Sequence, residues 1–177
     1  IFDIIKRLKP SWRNELEITD ALDMLLNEKF LITYKMITDY WKDTGTPEDI
    51  INANKSILEN LIPYFKGKKD STVLIEGNVS VGNETYIGNG VKIKGPVIIG
   101  NNCKISGDTI IGPNTSIGNE CIISGGIIKD SIIMNNCEIG KNVNLRNSII
   151  SSNSTIHQNN IENEQIFLLG EGTKVSF

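Results

Sequence analysis

The sequence predicts a mainly β protein whose larger part is a parallel β-helix, preceded by a shorter segment of helices and one strand. The first observation is a six-residue repeat that begins at Ile75. Written in sixes, it reads IEGNVS, VGNETY, IGNGVK, IKGPVI, IGNNCK, ISGDTI, IGPNTS and IGNECI. The second observation is chemical, since Ile or Val always takes the first place and Val, Thr or Cys the fifth. A fixed period of this kind is typical of a β-helix.

Each hexad predicts one short strand and one turn, so that three hexads close a triangular coil. The first residue points into the prism, the small fifth residue fits near the corner, and Gly or Asn accepts the positive φ of the turn. Successive coils stack at about 4.8 Å. The pattern resembles the hexapeptide-repeat family, and this resemblance implies a left-handed coil, an exception to the right-handed crossover rule.

The repeat extends from about residue 73 to residue 161, which corresponds to roughly five coils. After Ile123 some steps shorten to five residues, and each shorter step must tighten a corner. The inward positions are then Ile128, Ile133, Ile139, Leu145, Ile150 and Ile156. The last stretch leaves the repeat and predicts a cap on the open end of the prism. We therefore assign residues 73–177 to a β-helix with a C-terminal cap.

The three cysteines are predicted to form one inward column. Cys103 and Cys121 are one coil apart, and Cys137 follows in the next coil if the two shorter steps are counted. Coils stacked at about 4.8 Å are too far apart for a good disulfide, and no His or fourth Cys accompanies them for zinc. We expect small apolar core residues. An odd number of free thiols fits a reducing compartment and predicts a cytoplasmic protein.

Residues 1–62 predict helices and a single strand. A short helix spans residues 1–9, and a second is capped by Thr19 or Asp20. Alternation from Phe30 to Ile37 predicts a strand. Thr46 is the predicted N-cap of a third helix with Pro47 at its first position. The buried side of the second helix is predicted to contain Ala21, Leu22, Leu25 and Leu26.

The organisation of the chain follows from these elements. One strand is too few for a complete α/β domain, so residues 1–62 are predicted to be the last part of a larger domain. Residues 63–72 are a predicted linker. The formal net charge is −3 and charged residues make up 22%, which does not indicate a nucleic-acid partner. The sequence contains no run of 18 uncharged apolar residues, so no membrane span is predicted.

Two motifs precede the repeat: KPSWRNELEITD at residues 9–20 and WKDTGTPED at residues 41–49. In this order, followed by hexapeptide repeats, they resemble the sugar-1-phosphate nucleotidyltransferases. The chain is most similar to the long-form glucose-1-phosphate thymidylyltransferases, which make dTDP-glucose. The closing FLLGEG is similar to that long form as well. The resemblance implies that residues 1–62 are the C-terminal remnant of a nucleotidyltransferase α/β domain.

The resemblance also implies a reaction and a set of site residues. A sugar-1-phosphate oxygen attacks the α-phosphorus of a nucleoside triphosphate, and pyrophosphate leaves. Asp43 matches the family residue that binds Mg²⁺, and Arg13 the one that holds the sugar phosphate, so these two are the implied catalytic residues. Glu15 and Glu17 match positions near the sugar phosphate, and Trp41 would form a wall of the pocket.

Each of these residues also has a simpler interpretation. Asp43 can be a turn residue before a capped helix. Arg13 beside Glu15 and Glu17 can be a surface charge cluster. Trp41 can be a core or partly buried residue.

The sequence departs from the family pattern in ways that affect activity. The Gly-rich nucleotide-binding loop with its Arg and Lys has no counterpart, nor do the second Mg²⁺-binding Asp and the Lys that shares the sugar phosphate. Asn14 stands where the family usually has Gly. We therefore expect a C-terminal fragment that cannot catalyse the transfer alone.

Two other functions compete with this one. Hexapeptide β-helices also occur in acetyltransferases, here acting on an amino-sugar phosphate with acetyl-CoA. That reaction usually needs a His base. His157 is the single histidine, and its position beside the inward Ile156 predicts an outer-surface location. The third function is non-catalytic assembly. Family β-helices commonly pack three around an axis, which implies a homotrimer.

Overall fold

The computed structural model describes residues 1–38, 41–157 and 166–176. The chain forms two compact units, Ile1–Trp41 and Lys42–Phe177, which are described separately. The helices are Phe2–Ile5 (α1), Ile18–Asn27 (α2) and Pro47–Glu59 (α3). Within the described ranges, no helix has the length and apolar character that crossing a bilayer requires.

The two helices of the first unit differ from their predicted forms. Helix α1 has four residues and buries Ile4. Helix α2 begins at Ile18 with Glu17 as its N-cap and without a side-chain cap, so the predicted capping by Thr19 or Asp20 is wrong. The predicted buried side is also too broad. Ala21 is fully buried and Leu25 is half-buried, whereas Leu22 and Leu26 are exposed.

The predicted strand from Phe30 to Ile37 is not formed. No element is assigned there, and no backbone hydrogen bond joins residues 31–38 to another described residue. A strand requires a neighbour for its N–H and C=O groups, and the described part of this unit contains no other strand. Among its described residues, the expected α/β remnant therefore contains helices and a segment without regular secondary structure.

Helix α3 confirms the predicted start signal. Thr46 is the N-cap, and its Oγ1 accepts a hydrogen bond from the Asp49 N–H at 3.2 Å. Pro47 occupies the first helical position, where a missing N–H costs nothing. Ile51 and Leu58 are buried, which gives the helix one apolar side.

Nineteen short strands form the β-helix in the described residues. They run, in chain order, over Tyr64–Phe65 (β1), Lys68–Lys69 (β2), Leu74–Glu76 (β3), Val79–Val81 (β4), Tyr86–Ile87 (β5), Lys92–Lys94 (β6), Val97–Ile99 (β7), Lys104–Ile105 (β8), Ile110–Ile111 (β9), Thr115–Ile117 (β10), Ile122–Ile123 (β11), Ile127–Lys129 (β12), Ile132–Ile133 (β13), Glu138–Ile139 (β14), Asn144–Arg146 (β15), Ile149–Ile150 (β16), Thr155–His157 (β17), Leu168–Leu169 (β18) and Lys174–Ser176 (β19).

The strands stack into three parallel sheets, and about six coils result. The first sheet has the order β1-β4-β7-β10-β13-β16-β18 and the second β19-β17-β14-β11-β8-β5-β2. The third has the order β15-β12-β9-β6-β3. Each strand pairs with the strand one coil away, as the hexad period predicts. The fold class is therefore confirmed as a parallel β-helix.

The hexad positions have the predicted burial. In the third sheet, Ile93, Ile111, Ile128 and Leu145 align one above another and are all buried. First-position residues from Val81 to Ile156 are buried throughout, and so are the fifth-position residues from residue 79 to residue 121. One continuous aliphatic core therefore fills the prism.

The β-helix extends beyond both predicted ends. Strands β1 and β2 lie in the predicted linker and pair with β4 and β5, and Lys69 aligns with Ile87. The residues of this stretch that align with inward positions are not Ile or Val. The sequence therefore does not show the hexad period there. At the other end, β18 and β19 pair with β16 and β17 where a cap was predicted. Leu169 aligns with Ile150 and Val175 with Ile156, so the described end continues the coil.

The five-residue steps tighten corners, as predicted. Gly126 has φ +90, and a Cβ there would lie 2.1 Å from the carbonyl oxygen of Val143. Only glycine fits this corner. Asp130 and Asn147 occupy the next two shortened corners with φ 47 and φ 46. Both residue types tolerate the left-handed conformation.

The cysteine column is present and all three thiols are free and buried. Cys103, Cys121 and Cys137 each place Sγ within 3.0–3.2 Å of a carbonyl oxygen in the following coil. Contacts with the other two cysteines, and then burial, raise the pKa of the Cys121 thiol. The prediction that these residues fill the core is confirmed.

Candidate functional site

The first motif folds into a compact turn around Glu17. One Nη of Arg13 lies 2.8 Å from Oε1 of Glu17, and the Ser11 hydroxyl donates to the same oxygen at 2.9 Å. The Arg13 backbone N–H donates to Ser11 Oγ at 3.2 Å. The guanidinium carbon of Arg13 also lies 5.9 Å from the centre of the Trp12 ring. Arg13 is therefore oriented by both a carboxylate and an indole.

Asn14 makes the turn possible. Its φ is 59, and its N–H donates to the carbonyl oxygen of Ser11 at 2.8 Å. The Ser11 N–H in turn donates to the carbonyl oxygen of Glu15 at 2.8 Å. Asn and Gly are the residues that adopt this conformation most readily. The replacement of the family's usual Gly by Asn14 is therefore compatible with the same turn.

The charged side chains of the turn differ in how far they are paired. Hydrogen bonds from Ser11 and then Arg13 lower the pKa of Glu17, so this carboxylate is ionised at neutral pH. The Glu15 side chain makes no ion pair with another described residue. Arg13 has five N–H donors, and its hydrogen bond with Glu17 uses one of them. An anion can therefore bind the other donors while Glu17 keeps the guanidinium in place.

Asp43 lies in the second unit, just before helix α3. It is exposed, and among the described residues it makes no hydrogen bond or ion pair. Asp49 differs, because it accepts from Thr46 Oγ1 at 2.7 Å and pairs with Lys42 at 2.9 Å. These contacts, Thr46 first and then Lys42, lower the pKa of Asp49. Asp43 is thus the aspartate of this motif whose oxygens remain available.

The available carboxylate fits part of a magnesium site. In the described ranges, no three His, Cys, Asp or Glu side chains cluster closely enough to hold a metal by themselves. Mg²⁺ commonly takes one or two carboxylates and completes its shell with water and substrate phosphate oxygens. Asp43 can supply one such carboxylate.

Trp41 does not match the simpler prediction of a core residue. Its side chain is exposed, with 70% of its surface accessible. Tyr40, the preceding residue, lies outside the described residues. Arg13, Glu15 and Glu17 are brought together by one turn of the first unit, whereas Asp43 belongs to the second. The role of Trp41 as a pocket wall stays a prediction.

Helix α3 is joined to the β-helix by polar contacts that the sequence does not predict. Asn54 donates from Nδ2 to the Asn114 carbonyl oxygen at 3.2 Å and accepts from the Ser116 hydroxyl. Lys55 pairs with Asp130 at 3.2 Å. These contacts fix the helix that follows Asp43 against one sheet of the β-helix. Asn54 and Lys55 are polar residues at unremarkable helix positions, so only the structure identifies them.

Asp130 makes this fastening pH-dependent. Burial raises the pKa of Asp130, but hydrogen bonds from Asn114 and Lys55 and the charges of Lys55 and Arg146 lower it more, so the net shift is downward. A lowered pKa in the folded state stabilises the protein above the unfolded pKa of about 3.9, and this stabilisation disappears as the pH falls through the folded value.

We therefore expect the Asp130→Asn variant to lose part of the acid sensitivity of the wild type. Urea unfolding followed by circular dichroism between about pH 6 and pH 3 measures the slope. Asp108→Asn, an exposed acid elsewhere in the β-helix, is the matched control and should keep the wild-type slope. An unchanged slope in Asp130→Asn would contradict the prediction.

His157 lies on the outer surface, as predicted. Its Nε2 is 3.9 Å from Oε1 of Glu138, and both side chains are about half exposed. Gly140 lies beneath the ring, because a Cβ there would be 2.6 Å from His157 Nδ1. A shallow pocket of the second sheet adjoins this pair and includes Lys174.

Two family models match the chain. The model described as nucleotidyl transferase matches residues 1–60, which contain both the Arg13 turn and Asp43. The model described as the GMPPB C-terminal domain matches residues 93–176, most of the β-helix. In its first 60 residues the chain is thus similar to the nucleotidyl transferases, and in most of its β-helix to the GMPPB C-terminal domain. Both matches agree with the resemblance to the sugar-1-phosphate nucleotidyltransferases that the two motifs show.

Curated relatives agree with this class. The chain is 41% identical over 81 residues to the low-salt glycan biosynthesis nucleotidyltransferase Agl11 of Haloferax volcanii, covering 46% of the chain and 23% of the relative. It is 38% identical over 96 residues to a glucose-1-phosphate thymidylyltransferase of Streptomyces antibioticus, covering 54% and 27%. It is 42% identical over 87 residues to the bifunctional protein GlmU of Methanococcus aeolicus, covering 49% and 21%. The chain thus spans about a quarter of these relatives' length.

Solved structures give a weaker match. A putative acetyltransferase of Bacillus cereus is 21% identical, with 64% of this chain and 72% of that chain covered. The TM-score is 0.33, which is too low to support an inference about function.

Proposed function

We propose that the chain is the C-terminal portion of a nucleotidyltransferase that makes an NDP-sugar, dTDP-glucose, and pyrophosphate from a nucleoside triphosphate and a sugar-1-phosphate. The observation that carries the proposal is the nucleotidyl transferase match, which includes the Arg13 turn and Asp43 in one segment. The thymidylyltransferase among the relatives supports the choice of dTTP and glucose-1-phosphate.

In this proposal Arg13 binds the phosphate of the sugar-1-phosphate. Glu17 holds the guanidinium at 2.8 Å, and the remaining donors form charge-assisted hydrogen bonds with the phosphate oxygens. Glu15 and Trp41 lie beside the substrate. Because attack at the α-phosphorus needs in-line positioning and little covalent assistance, orientation of the phosphate is the main task of this turn.

Asp43 is the proposed ligand of Mg²⁺. When bound, the ion would neutralise phosphate charge as it develops. The uncommitted carboxylate supplies one of its ligands, and the fastening of α3 by Asn54 and Lys55 restricts where that carboxylate can move. Lys42 pairs with Asp49 at 2.9 Å and makes no ion pair with Asp43.

The chain alone is proposed to be inactive. None of its residues matches the family's nucleotide-binding loop, so binding and orientation of the triphosphate require a further nucleotidyltransferase segment. The β-helix would support helix α3, which follows Asp43, and would assemble subunits, with a homotrimer as the proposed state. We also propose a cytoplasmic location.

The test is a pyrophosphate-release assay with dTTP, Mg²⁺ and glucose-1-phosphate. The 177-residue chain should show no turnover, and a fusion to an N-terminal nucleotidyltransferase segment should restore it. Turnover by the chain alone would contradict the proposed inactivity. The proposed function would be contradicted by a folded fusion that shows no turnover when dTTP or UTP is combined with any of the sugar-1-phosphates tested.

A second candidate function is acetyl transfer to an amino-sugar phosphate. It is favoured by the His157–Glu138 pair and by the bifunctional GlmU relatives. A thiol-release assay with acetyl-CoA and glucosamine-1-phosphate tests it. Activity that His157→Ala abolishes would support this function, and its absence in the assembled protein would exclude these substrates. If both activities are absent, light scattering that gives a trimer would support the assembly role.

A further inference from the structure

The corner between strands β5 and β6 contains the dipeptide Asn89-Gly90, and Asn followed by Gly occurs nowhere else in the sequence. Thr72 lies at the same corner one coil earlier, because β2 pairs with β5 and β3 with β6. Thr72 and Asn89 are exposed, so water reaches both side chains. Glycine has no side chain to shield its backbone nitrogen, which leaves the Gly90 nitrogen open to the amide group of Asn89.

One hydroxyl group contacts both halves of this dipeptide. The Thr72 hydroxyl donates to Oδ1 of Asn89 at 2.9 Å, and Thr72 Oγ1 accepts from the Gly90 N–H at 3.3 Å. The side-chain carbonyl of Asn89 and the backbone nitrogen that follows it are therefore directed toward the same oxygen. Among the described residues, Nδ2 of Asn89 has no hydrogen-bond partner, so the protein does not hold the amide nitrogen.

The asparagines of another corner are held in a different way. Oδ1 of Asn101 accepts from the Asn83 N–H at 2.8 Å, and Oδ1 of Asn119 accepts from the Asn101 N–H at 2.8 Å. Each of these side chains reaches a backbone N–H of the preceding coil. Their amide groups are therefore directed away from the backbone nitrogen of their own following residue, whereas the amide group of Asn89 is not.

The fold requires glycine after Asn89. Gly90 has φ +79, and a Cβ there would lie 2.6 Å from Oδ1 of Asp108 in the next coil. Another residue would be strained at this φ and would have to displace the Asp108 side chain. The exposed Asn-Gly dipeptide is therefore built into the geometry of this corner.

We propose that Asn89 is a site of spontaneous deamidation in the folded protein and that the Thr72 hydroxyl promotes the reaction. The Gly90 nitrogen attacks Cγ of Asn89 as it loses its proton to the solvent, and Oδ1 takes up the electron pair of the carbonyl. The Thr72 O–H donates to this oxygen, where negative charge develops. The carbonyl then re-forms and the Cγ–Nδ2 bond breaks. Nδ2 takes a proton from water and leaves as ammonia, and a cyclic imide remains.

Water opens the imide at either of its two carbonyl groups. Attack at the former side-chain carbonyl restores the main chain and leaves an aspartate at position 89. Attack at the main-chain carbonyl gives an isoaspartate, which adds a methylene group to the backbone of the corner. Both products make the chain one charge more negative. The isoaspartate also lengthens a corner that is packed between Thr72 and Asp108 in the neighbouring coils.

Incubation of the 177-residue chain at mildly alkaline pH tests the proposal. Peptide mass spectrometry measures conversion at each asparagine, and enzymatic methylation of isoaspartate identifies the second product. We expect Asn89 to be converted ahead of every other asparagine, with an equimolar release of ammonia. The rate should increase with pH, because the attacking nitrogen must lose its proton.

Two variants at position 72 isolate the contribution of the hydroxyl. Thr72→Val keeps the branched shape and removes the donor, so conversion at Asn89 should slow by about fivefold, the effect of one hydrogen bond on a rate. Thr72→Ser is the matched control, since it keeps the hydroxyl, and it should stay within about twofold of the wild-type rate. Circular dichroism checks that both variants are folded.

The same chain unfolded in urea shows how the fold affects the reaction. Conversion at Asn89 that is at least as fast in the folded chain as in urea, together with the loss in Thr72→Val, would support the proposal. Slower conversion in the folded chain than in urea would overturn it, because the corner would then protect Asn89. Equal rates in the wild type and folded Thr72→Val would also overturn it, since the dipeptide alone would set the rate.

Discussion

Replacing Ile123 with alanine is expected to lower the free energy of unfolding of the β-helix by about 2–4 kcal/mol. Ile123 is fully buried, and it aligns with Ile105 on one side and Ile139 on the other. Truncation removes apolar burial and leaves a cavity in a prism whose walls are hydrogen-bonded ladders. Such walls cannot collapse easily around the missing atoms.

Ile122 provides a matched control one residue away. It belongs to the same strand, β11, but points outward and is 45% exposed. Ile122→Ala should cost less than about 1 kcal/mol. Urea unfolding followed by circular dichroism measures both variants. Equal losses would contradict the inward assignment of the first hexad position, because the two substitutions remove the same atoms.

The interior of the β-helix could be predicted because its signal is redundant. Every hexad repeats the same choice at its first and fifth positions, so one irregular residue does not hide the period. The ends carry less redundancy. Lys69 aligns with Ile87 in the coil, but it is not an Ile or Val. The sequence therefore predicts a linker at a place where the β-helix continues. Residues 169–174 form a complete hexad, LGEGTK. It is not recognised from the sequence because the stretch before it does not follow the repeat.

The first unit shows where local pattern is insufficient. The alternation from Phe30 to Ile37 predicts a strand, but strand formation depends on hydrogen bonds to another strand. The described residues provide none, so the extended pattern remains without a ladder. The cap of α2 failed for a different reason. Thr19 and Asp20 are good N-cap residue types, yet the N-cap is Glu17, two residues before Thr19, and the helix begins at Ile18.

For the candidate site, the sequence predicts which residues take part but not how they contact one another. The motifs predict Arg13, Glu17 and Asp43 as site residues. The structure adds that Glu17 pairs with Arg13 at 2.8 Å and that Asp43 makes no hydrogen bond or ion pair with another described residue. The fastening of α3 to the β-helix had no local signal. Asn54 and its partner Ser116 are 62 residues apart, and their contact depends on how the sheet presents Ser116 outward.

Asp43→Asn should reduce nucleotidyl transfer by at least about 100-fold in the active fusion, since losing a metal-bound carboxylate removes several kcal/mol of charge stabilisation. The amide keeps the size of the side chain and removes its charge. Thermal unfolding should therefore remain unchanged, because Asp43 makes no hydrogen bond or ion pair with the other described residues. The loss should be partly relieved by raising the Mg²⁺ concentration.

Glu48→Gln is the matched control for this substitution. Glu48 is an exposed acid in the first turn of α3, five residues from Asp43 in the sequence. It should keep its activity within about threefold and its Mg²⁺ dependence unchanged, because a surface charge near a site contributes at most about 1 kcal/mol. If both variants lost activity equally, the effect would come from the overall negative potential of this segment. If neither lost activity, Asp43 would be a turn residue before a capped helix, and the metal would have to be held elsewhere.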